Sequence, residues 1–163
     1  MRILTRLTAF LIVALAGLSS AGMVAADDKY AGYYYPEAKT AETFGRTIVP
    51  SPPANKAVRV GFVTTVTKAQ LAAPESPRFV IFAKGEQSEH MIMIALDDQI
   101  FKTQYRARAL LAQLSSNLRS TEFFTSQNLQ TAGTFFDMLQ IMNFESLVIS
   151  DGETWSHRVN FVQ

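Results

Sequence analysis

Residues 78–96, RFVIFAKGEQSEHMIMIAL, decide the fold of this chain. Two apolar runs, Phe79–Ala83 and Met91–Leu96, flank a polar break at Lys84–His90. Each run has the length of a β-strand, and the break has the length of a hairpin loop. Apolar side chains occupy both faces of each run. This pattern indicates central strands that are covered on two sides.

A further strand is predicted upstream, at Ala57–Thr67. Apolar and β-branched residues alternate with more polar ones along AVRVGFVTTVT, which is typical of a strand. One face of this strand is the more polar. We therefore expect it nearer the edge of the sheet.

Two helices are predicted downstream of the hairpin. The first carries one apolar stripe with the offsets i, i+3, i+4, i+7 and i+11, formed by Ala107, Leu110, Leu111, Leu114 and Leu118. Arg106 and Arg108 lie off this stripe. The favoured interpretation is a solvated helix face, and anion binding by the pair is the alternative. The second helix is predicted from about Phe135 to Met142, with Thr134 and Asp137 at the positions of a capping box.

A second hairpin is predicted at the end of the sequence. Ser146–Ser150 and Thr154–Val162 read as strands, and Asp151-Gly152 favours a tight type I′ turn. His157 shares a face with apolar neighbours and is interpreted as a structural histidine. The sequence thus predicts an α+β domain with a mainly antiparallel sheet, in the order β-β-β-α-α-β-β, and two helices packed on one face.

The first residues have the composition of a secretory signal peptide. Arg2 and Arg6 precede the apolar run Leu7–Leu18, and Val24-Ala25-Ala26 fits the pattern before a cleavage site. The apolar run is shorter than the roughly 20 residues that span a bilayer. We expect an exported periplasmic protein that has no stable membrane anchor after signal cleavage. An uncleaved signal anchor and a cut after Gly22 are the alternatives.

Composition narrows the possible partners. The chain has 15 basic and 14 acidic residues, which disfavours nucleic acid as a partner. It has no cysteine, which excludes disulfides, thiolate catalysis, cysteine–zinc sites and lipoprotein anchoring. His90 and His157 fall on different hairpins, and no ligand spacing suggests a metal or another cofactor. The partner is expected to be an unknown protein or small molecule.

Three segments are predicted: a signal peptide at 1–26, an irregular Tyr- and Pro-rich arm at 27–56, and the α+β domain at 57–163. Tyr33, Tyr34 and Tyr35 in the arm are candidates for binding a ligand or partner, because tyrosine offers an aromatic face and a polar tip. The favoured interpretation is that the arm lies across the first hairpin and buries these rings against it.

One catalytic arrangement can be assembled from the sequence. Ser150, Asp151 and His157 surround the second hairpin and supply the residue types of a serine hydrolase. No Gly-x-Ser-x-Gly elbow accompanies them. The favoured hypothesis is therefore an accessory or binding protein without a recognisable catalytic site, and a small periplasmic hydrolase is the alternative.

Several stretches resemble a family of small exported alphaproteobacterial proteins without an established function. They are the signal peptide, AGYYYPE (Ala31–Glu37), IFAKG (Ile81–Gly85), YRARALLAQL (Tyr105–Leu114) and DMLQIMNFESLVISDG (Asp137–Gly152). Members are sometimes named molybdopterin-guanine dinucleotide biosynthesis protein A, which would imply a nucleotidyltransferase. That enzyme has a Gly-rich loop near its N-terminus, whereas a signal peptide stands there in this sequence. Nucleotidyl transfer is accordingly the least favoured hypothesis.

Overall fold

The computed structural model describes residues 37–45, 54–97 and 100–162. Five strands and four helices occur within these ranges. Their bounds in chain order are β1 (Thr40–Phe44), α1 (Lys56–Ala72), β2 (Phe79–Lys84), β3 (His90–Ala95), α2 (Gln104–Arg119), α3 (Glu122–Ser126), α4 (Phe135–Ile141), β4 (Ser146–Ser150) and β5 (Ser156–Phe161). None of the helices in the described ranges is long and apolar enough to cross a membrane.

The strands form one mixed sheet in the order β1-β5-β4-β3-β2. The pairs β1–β5 and β3–β4 are parallel, whereas β2–β3 and β4–β5 are antiparallel. β3 and β4 run parallel because a long helical crossover connects them. The α+β class is confirmed. The prediction of a mainly antiparallel sheet in the order β-β-β-α-α-β-β is wrong.

The pairing of the predicted hairpin is confirmed, but the prediction that both of its strands are central is wrong for β2, which lies at the edge of the sheet and leaves Phe82 42% exposed. β2 and β3 pair from Phe79↔Ala95 to Lys84↔His90. Met91 and Met93 on one face of β3 and Ile92 on the other are all buried, as expected for a central strand. Gly85 has a positive φ in the connecting loop, and a Cβ there would overlap the Glu89 carboxylate. Glycine is therefore required at this position.

The helices pack on one face of the sheet. Because side chains alternate along a strand and register partners share a face, one face carries the strand residues of the main core, namely Ile81, Met91, Met93, Leu147, Ile149, Val159 and Phe161. All four helices contribute residues to this core, among them Phe62, Leu111, Phe124 and Met138. The prediction of helices on one face is right, but their number in the described ranges is four and not two.

The strand predicted at Ala57–Thr67 is wrong, because these residues belong to helix α1. Asn55 caps the helix by accepting a hydrogen bond from the Val58 amide at 3.2 Å. The residues that face the protein follow the helical offsets i, i+3, i+4, i+7 and i+11, and they are Arg59, Phe62, Val63, Val66 and Gln70. Tertiary packing of this stripe overrides the β propensity of the valines and threonines.

Arg59 anchors the start of α1 and is only 3% exposed. Its Nε and Nη2 donate to the carbonyl of Gln87 at 3.1 and 2.7 Å. Its Nη1 lies 3.0 Å from the Ala54 carbonyl, 3.3 Å from that of Met142 and 3.1 Å from that of Asn143. The last two carbonyls follow the C-terminus of α4, where the helix dipole favours a cation. Carbonyl oxygens on three segments thus satisfy this buried charge.

The two predicted helices are confirmed as α2 and α4. In α4, Thr134 and Asp137 form the reciprocal capping box that the sequence indicates. Helix α3 lies in the connection between them, where no helix is predicted. Its single turn is capped by Thr121, and it buries Phe124 completely.

The closing hairpin is confirmed, but its connection is not a two-residue turn. A five-residue loop joins β4 to β5, and the Asp151 carboxylate organises it by accepting from the amides of Glu153, Thr154 and Trp155 at 2.8–2.9 Å. Gly152 in this loop has a φ of +83°, which suits glycine. The aspartate therefore shapes a wider loop than the Asp-Gly pair indicates.

β1 falls inside the segment predicted to be irregular, 27–56. It adds an edge strand parallel to β5, with Thr40 opposite His157, Glu42 opposite Val159 and Phe44 opposite Phe161. Its sequence, TAETF, has little strand signal of its own, so pairing with β5 determines its structure. The predicted domain boundary after residue 56 remains a prediction.

Candidate ligand-binding site

One side of helix α2 faces strand β1. Arg108, Leu111, Ala112 and Ser115 occupy this face, because their offsets i, i+3, i+4 and i+7 place them along one side of a helix. Arg108 is at the solvent end of the row, and Leu111 and Ser115 are buried. The row combines one charge with a mainly apolar surface.

Ser115 fixes α2 to the start of α4. Its Oγ donates to the Leu111 carbonyl at 2.7 Å and accepts from the Phe135 amide at 2.9 Å. The second contact satisfies one of the amides that a helix N-terminus leaves unpaired. Phe135 and Phe136 are thereby held beside the row on α2.

β1 completes the site from the edge of the sheet. Glu42 and Phe44 lie on the helix-covered face, since they pair with Val159 and Phe161 of β5. The Phe44 ring contacts Phe136 edge-on with centroids 5.1 Å apart, and the Phe161 ring lies 6.3 Å from Phe44. This aromatic contact joins β1, β5 and α4 into one apolar wall.

These elements line a half-open pocket of about 420 Å³, which we call the β1–α2–α4 cavity. Three elements and Val159 of β5 supply its lining, which consists of Glu42, Thr43, Phe44, Arg108, Leu111, Ala112, Ser115, Thr134, Phe135, Phe136 and Val159. Ligand sites in proteins have volumes of about 300–1,000 Å³, an apolar lining and a few placed polar groups. The cavity meets each of these conditions.

Three side chains form a polar network, and two of them, Glu42 and Arg108, line the cavity. Nη2 of Arg108 donates to Oε2 of Glu42 at 2.8 Å. Oε1 of Glu42 lies 3.3 Å from Nε2 of His157, outside hydrogen-bond alignment. On its other side, Nδ1 of His157 is hydrogen-bonded to Oγ1 of Thr40 at 2.7 Å. We call Glu42, Arg108 and His157 the mouth network.

The two hydroxyl groups of the lining are held in hydrogen bonds within the protein. Both hydrogen-bonding roles of the Ser115 hydroxyl are in use, as described above. The Thr134 hydroxyl donates to Asp137 Oδ2 at 2.8 Å and accepts from the Asp137 amide at 3.3 Å. The Asp137 carboxylate oxygen that accepts from the Thr134 hydroxyl also accepts from the Thr134 amide, so this contact is part of the capping box of α4. In residues 37–45, 54–97 and 100–162, no cluster of three or more His, Asp or Glu side chains could hold a metal ion.

Ser150 and His157 do not meet in the structure. His157 pairs with Ile149, so the neighbouring Ser150 side chain points to the opposite face of the sheet. The Ser150 hydroxyl donates to the Trp155 carbonyl at 3.1 Å and accepts from the Gly152 amide at 3.0 Å. His157 itself is 4% exposed and stacks on Trp155 with ring centroids 6.3 Å apart. Its environment is that of a structural histidine.

Asp151 is committed to its own loop. Burial alone raises the pKa of Asp151, but hydrogen bonds from the backbone amides of Trp155, Glu153 and Thr154 and from the Thr154 hydroxyl leave that pKa below its ordinary value. The carboxylate is therefore ionised at neutral pH and fully used as an acceptor. The other predicted site residues, Tyr33, Tyr34 and Tyr35, lie outside the described residues.

A different serine and histidine do come together. Nδ1 of His90 lies 3.0 Å from Oγ of Ser146, and its Nε2 lies 3.5 Å from Oε1 of Glu89. His90 and Ser146 are register partners on the adjacent strands β3 and β4. The Ser146 residue is only 6% exposed, which suits a cross-strand bond better than an accessible nucleophile.

No protein-family model, curated protein or solved structure matches this chain. The resemblance to small exported alphaproteobacterial proteins therefore stays a prediction. The only sequence signal for the cavity is the pair Arg106 and Arg108, for which anion binding is one of two interpretations. Glu42 and Phe44 carry no signal, because their strand is not recognisable from the sequence.

Proposed function

We propose that this chain is an exported periplasmic binding protein that holds a small amphipathic molecule in the β1–α2–α4 cavity. The observation that carries the proposal is an apolar cavity of about 420 Å³ with a single charged network at its mouth. An apolar ligand body would fill the space between Leu111, Phe136 and Val159. The polar end of the ligand would stay near Glu42 and Arg108, where water has access.

Export is the second part of the proposal and rests on the sequence. Arg2 and Arg6, the apolar run Leu7–Leu18 and the Ala26 cleavage site have the order of a Sec-type signal peptide. We expect a mature protein that begins at Asp27 and is recovered from the periplasmic fraction. Intact-mass measurement of that fraction checks this, and a full-length species retained in the membrane fraction would contradict it.

The binding proposal is tested with two small amphipathic probes, 1-octanol and octanoate, by titration calorimetry. Ala112 is an exposed lining residue on α2, so Ala112→Phe places a ring in the cavity without disturbing the core. We expect this substitution to weaken the binding of both probes by about tenfold or more, or at least ~1.4 kcal/mol.

The matched control is Ala109→Phe. Ala109 is exposed on the same helix and does not line the cavity, so it introduces the same ring elsewhere. Equal weakening by both substitutions would show that the probes bind elsewhere. Failure of both probes to bind the unsubstituted protein would refute the proposed function.

A further inference from the structure

The guanidinium of Arg108 is only partly used. One nitrogen, Nη2, donates to Glu42, and the side chain is 61% exposed at the mouth of the cavity. An arginine has five N–H donors in a planar fork that matches a carboxylate with two parallel hydrogen bonds. Arg108 therefore has the donors and the access to bind a second carboxylate from solution.

Glu42 already occupies one nitrogen of the Arg108 guanidinium, so an incoming carboxylate would have to share the guanidinium with it. Its two oxygens are divided, with Oε2 on Arg108 and Oε1 directed at His157. His157 is 4% exposed and is hydrogen-bonded to Thr40, and its Nε2 lies 3.3 Å from Oε1 of Glu42. The protein thus presents its own carboxylate to the cation that faces the cavity.

The apolar part of the cavity begins one helical turn from that cation. Leu111 and Ala112 follow Arg108 at i+3 and i+4 on the same face of α2. A ligand with an anionic group on Arg108 would direct its remaining atoms along this row toward the Phe44 and Phe136 rings. This arrangement fits a charged head joined to an apolar tail.

We infer that the ligands of the cavity are monocarboxylates with a short aliphatic or aromatic body, and that Glu42 competes with the ligand carboxylate for Arg108. The inference rests on the proposed function and adds the chemical class and the competing residue to it. Arg108 attracts the anion. Glu42 weakens its binding, both by occupying the guanidinium and by like-charge repulsion. The affinity for neutral molecules of the same shape does not depend on the charge of either residue.

The test compares octanoate with 1-octanol, which has the same chain length and no charge, at pH 7 and low ionic strength. We expect the unsubstituted protein to bind octanoate more tightly than octanol. Arg108→Met should weaken the binding of octanoate about tenfold. This is the effect expected for losing a charge-assisted hydrogen bond that is partly screened by solvent. The same substitution should change the affinity for octanol by no more than about twofold, because methionine retains an apolar side chain in place of the arginine stem.

Glu42→Gln tests the competition. The substitution keeps the shape of the side chain and removes its charge. Octanoate should therefore bind several-fold more tightly, and the affinity for octanol should not change. Arg158→Met is the matched control, since Arg158 is exposed on the opposite face of β5 and does not line the cavity. It should change neither affinity, and its circular dichroism spectrum, like those of the other variants, should match the unsubstituted protein.

The outcomes separate the inference from the proposed function. If octanol binds and octanoate binds no better, or if Glu42→Gln weakens octanoate, the carboxylate class and the competition are overturned while the cavity remains a binding site. If neither probe binds, both conclusions fall. If Arg158→Met weakens octanoate as much as Arg108→Met does, the effect is long-range charge and the assignment to Arg108 is overturned.

Discussion

Arg59 and Arg108 lie on helices beside opposite edges of the sheet, and they differ in every physical respect except residue type. Arg59 is 3% exposed, and its guanidinium donates to backbone carbonyls of four residues. Arg108 is 61% exposed and donates to the single carboxylate of Glu42. The comparison teaches that saturation of the donors, and not the presence of a charge, separates a structural arginine from one available to a ligand.

The largest expected effect on stability tests this contrast between Arg59 and Arg108 directly. Arg59→Met leaves the carbonyls of Ala54, Gln87, Met142 and Asn143 without their donor, so we expect a loss of about 3 kcal/mol or more in the free energy of unfolding. Arg108→Met removes an exposed ion pair and should cost under about 1 kcal/mol. Urea unfolding followed by circular dichroism measures both. Equal losses for the two variants would show that the arginines are not different in kind.

The next effect extends the contrast to the mouth network. His157→Ala removes a buried ring and its hydrogen bond to Thr40, which should cost about 2–3 kcal/mol. Thr40→Val removes only the hydroxyl contact and should cost about 1 kcal/mol. Octanol binding should persist in both variants at a temperature where they are folded. Loss of octanol binding without a change in melting temperature would show that His157 belongs to the ligand site and not to its support.

The smallest effect concerns Asp151, a carboxylate whose acceptors are saturated as the donors of Arg59 are. Its pKa is lower in the folded protein than the ordinary value of 3.8. Its contribution to stability is therefore complete above about pH 4 and is lost as the pH falls through the lowered pKa. Because Asp151 is partly exposed to water, the effect should stay below about 1 kcal/mol.

Asp151→Asn is the measurement for this effect. The variant cannot titrate, so the stability difference between it and the unsubstituted protein should shrink as the pH is lowered from 6 to 3 in urea unfolding. A difference that stays constant over this range would show that the carboxylate is not stabilised by its loop.

The sequence predicts those elements whose core is formed by apolar side chains. The hairpin 78–96, helix α2 and the capping box of α4 are recovered, because their apolar periods and caps are local. Helix α1 is missed because its inward stripe begins with Arg59 and ends with Gln70. Polar residues at these two positions conceal the helical period, while the alternate positions Val58, Val60, Phe62, Thr64 and Val66 suggest a strand.

The cavity cannot be predicted from local sequence patterns, and the reason is different. Its α2 row can be read as a helix face, but its opposite wall is β1, a five-residue strand defined by pairing with residues more than a hundred positions away. The role of Glu42 can be inferred only from the structure, which places Arg108 and His157 beside it. Contacts of this range cannot be derived from the period or composition of the segment that contains them.

The central claim is that the β1–α2–α4 cavity holds the apolar body of a ligand. Isotope-filtered nuclear Overhauser spectra of the labelled protein with unlabelled octanoate test it most directly. We predict contacts from the octanoate methylene protons to the Leu111 and Val159 methyl groups and to the Phe136 ring. Contacts confined to residues outside the lining, with none to Leu111 or Val159 in a sample saturated with octanoate, would contradict the account.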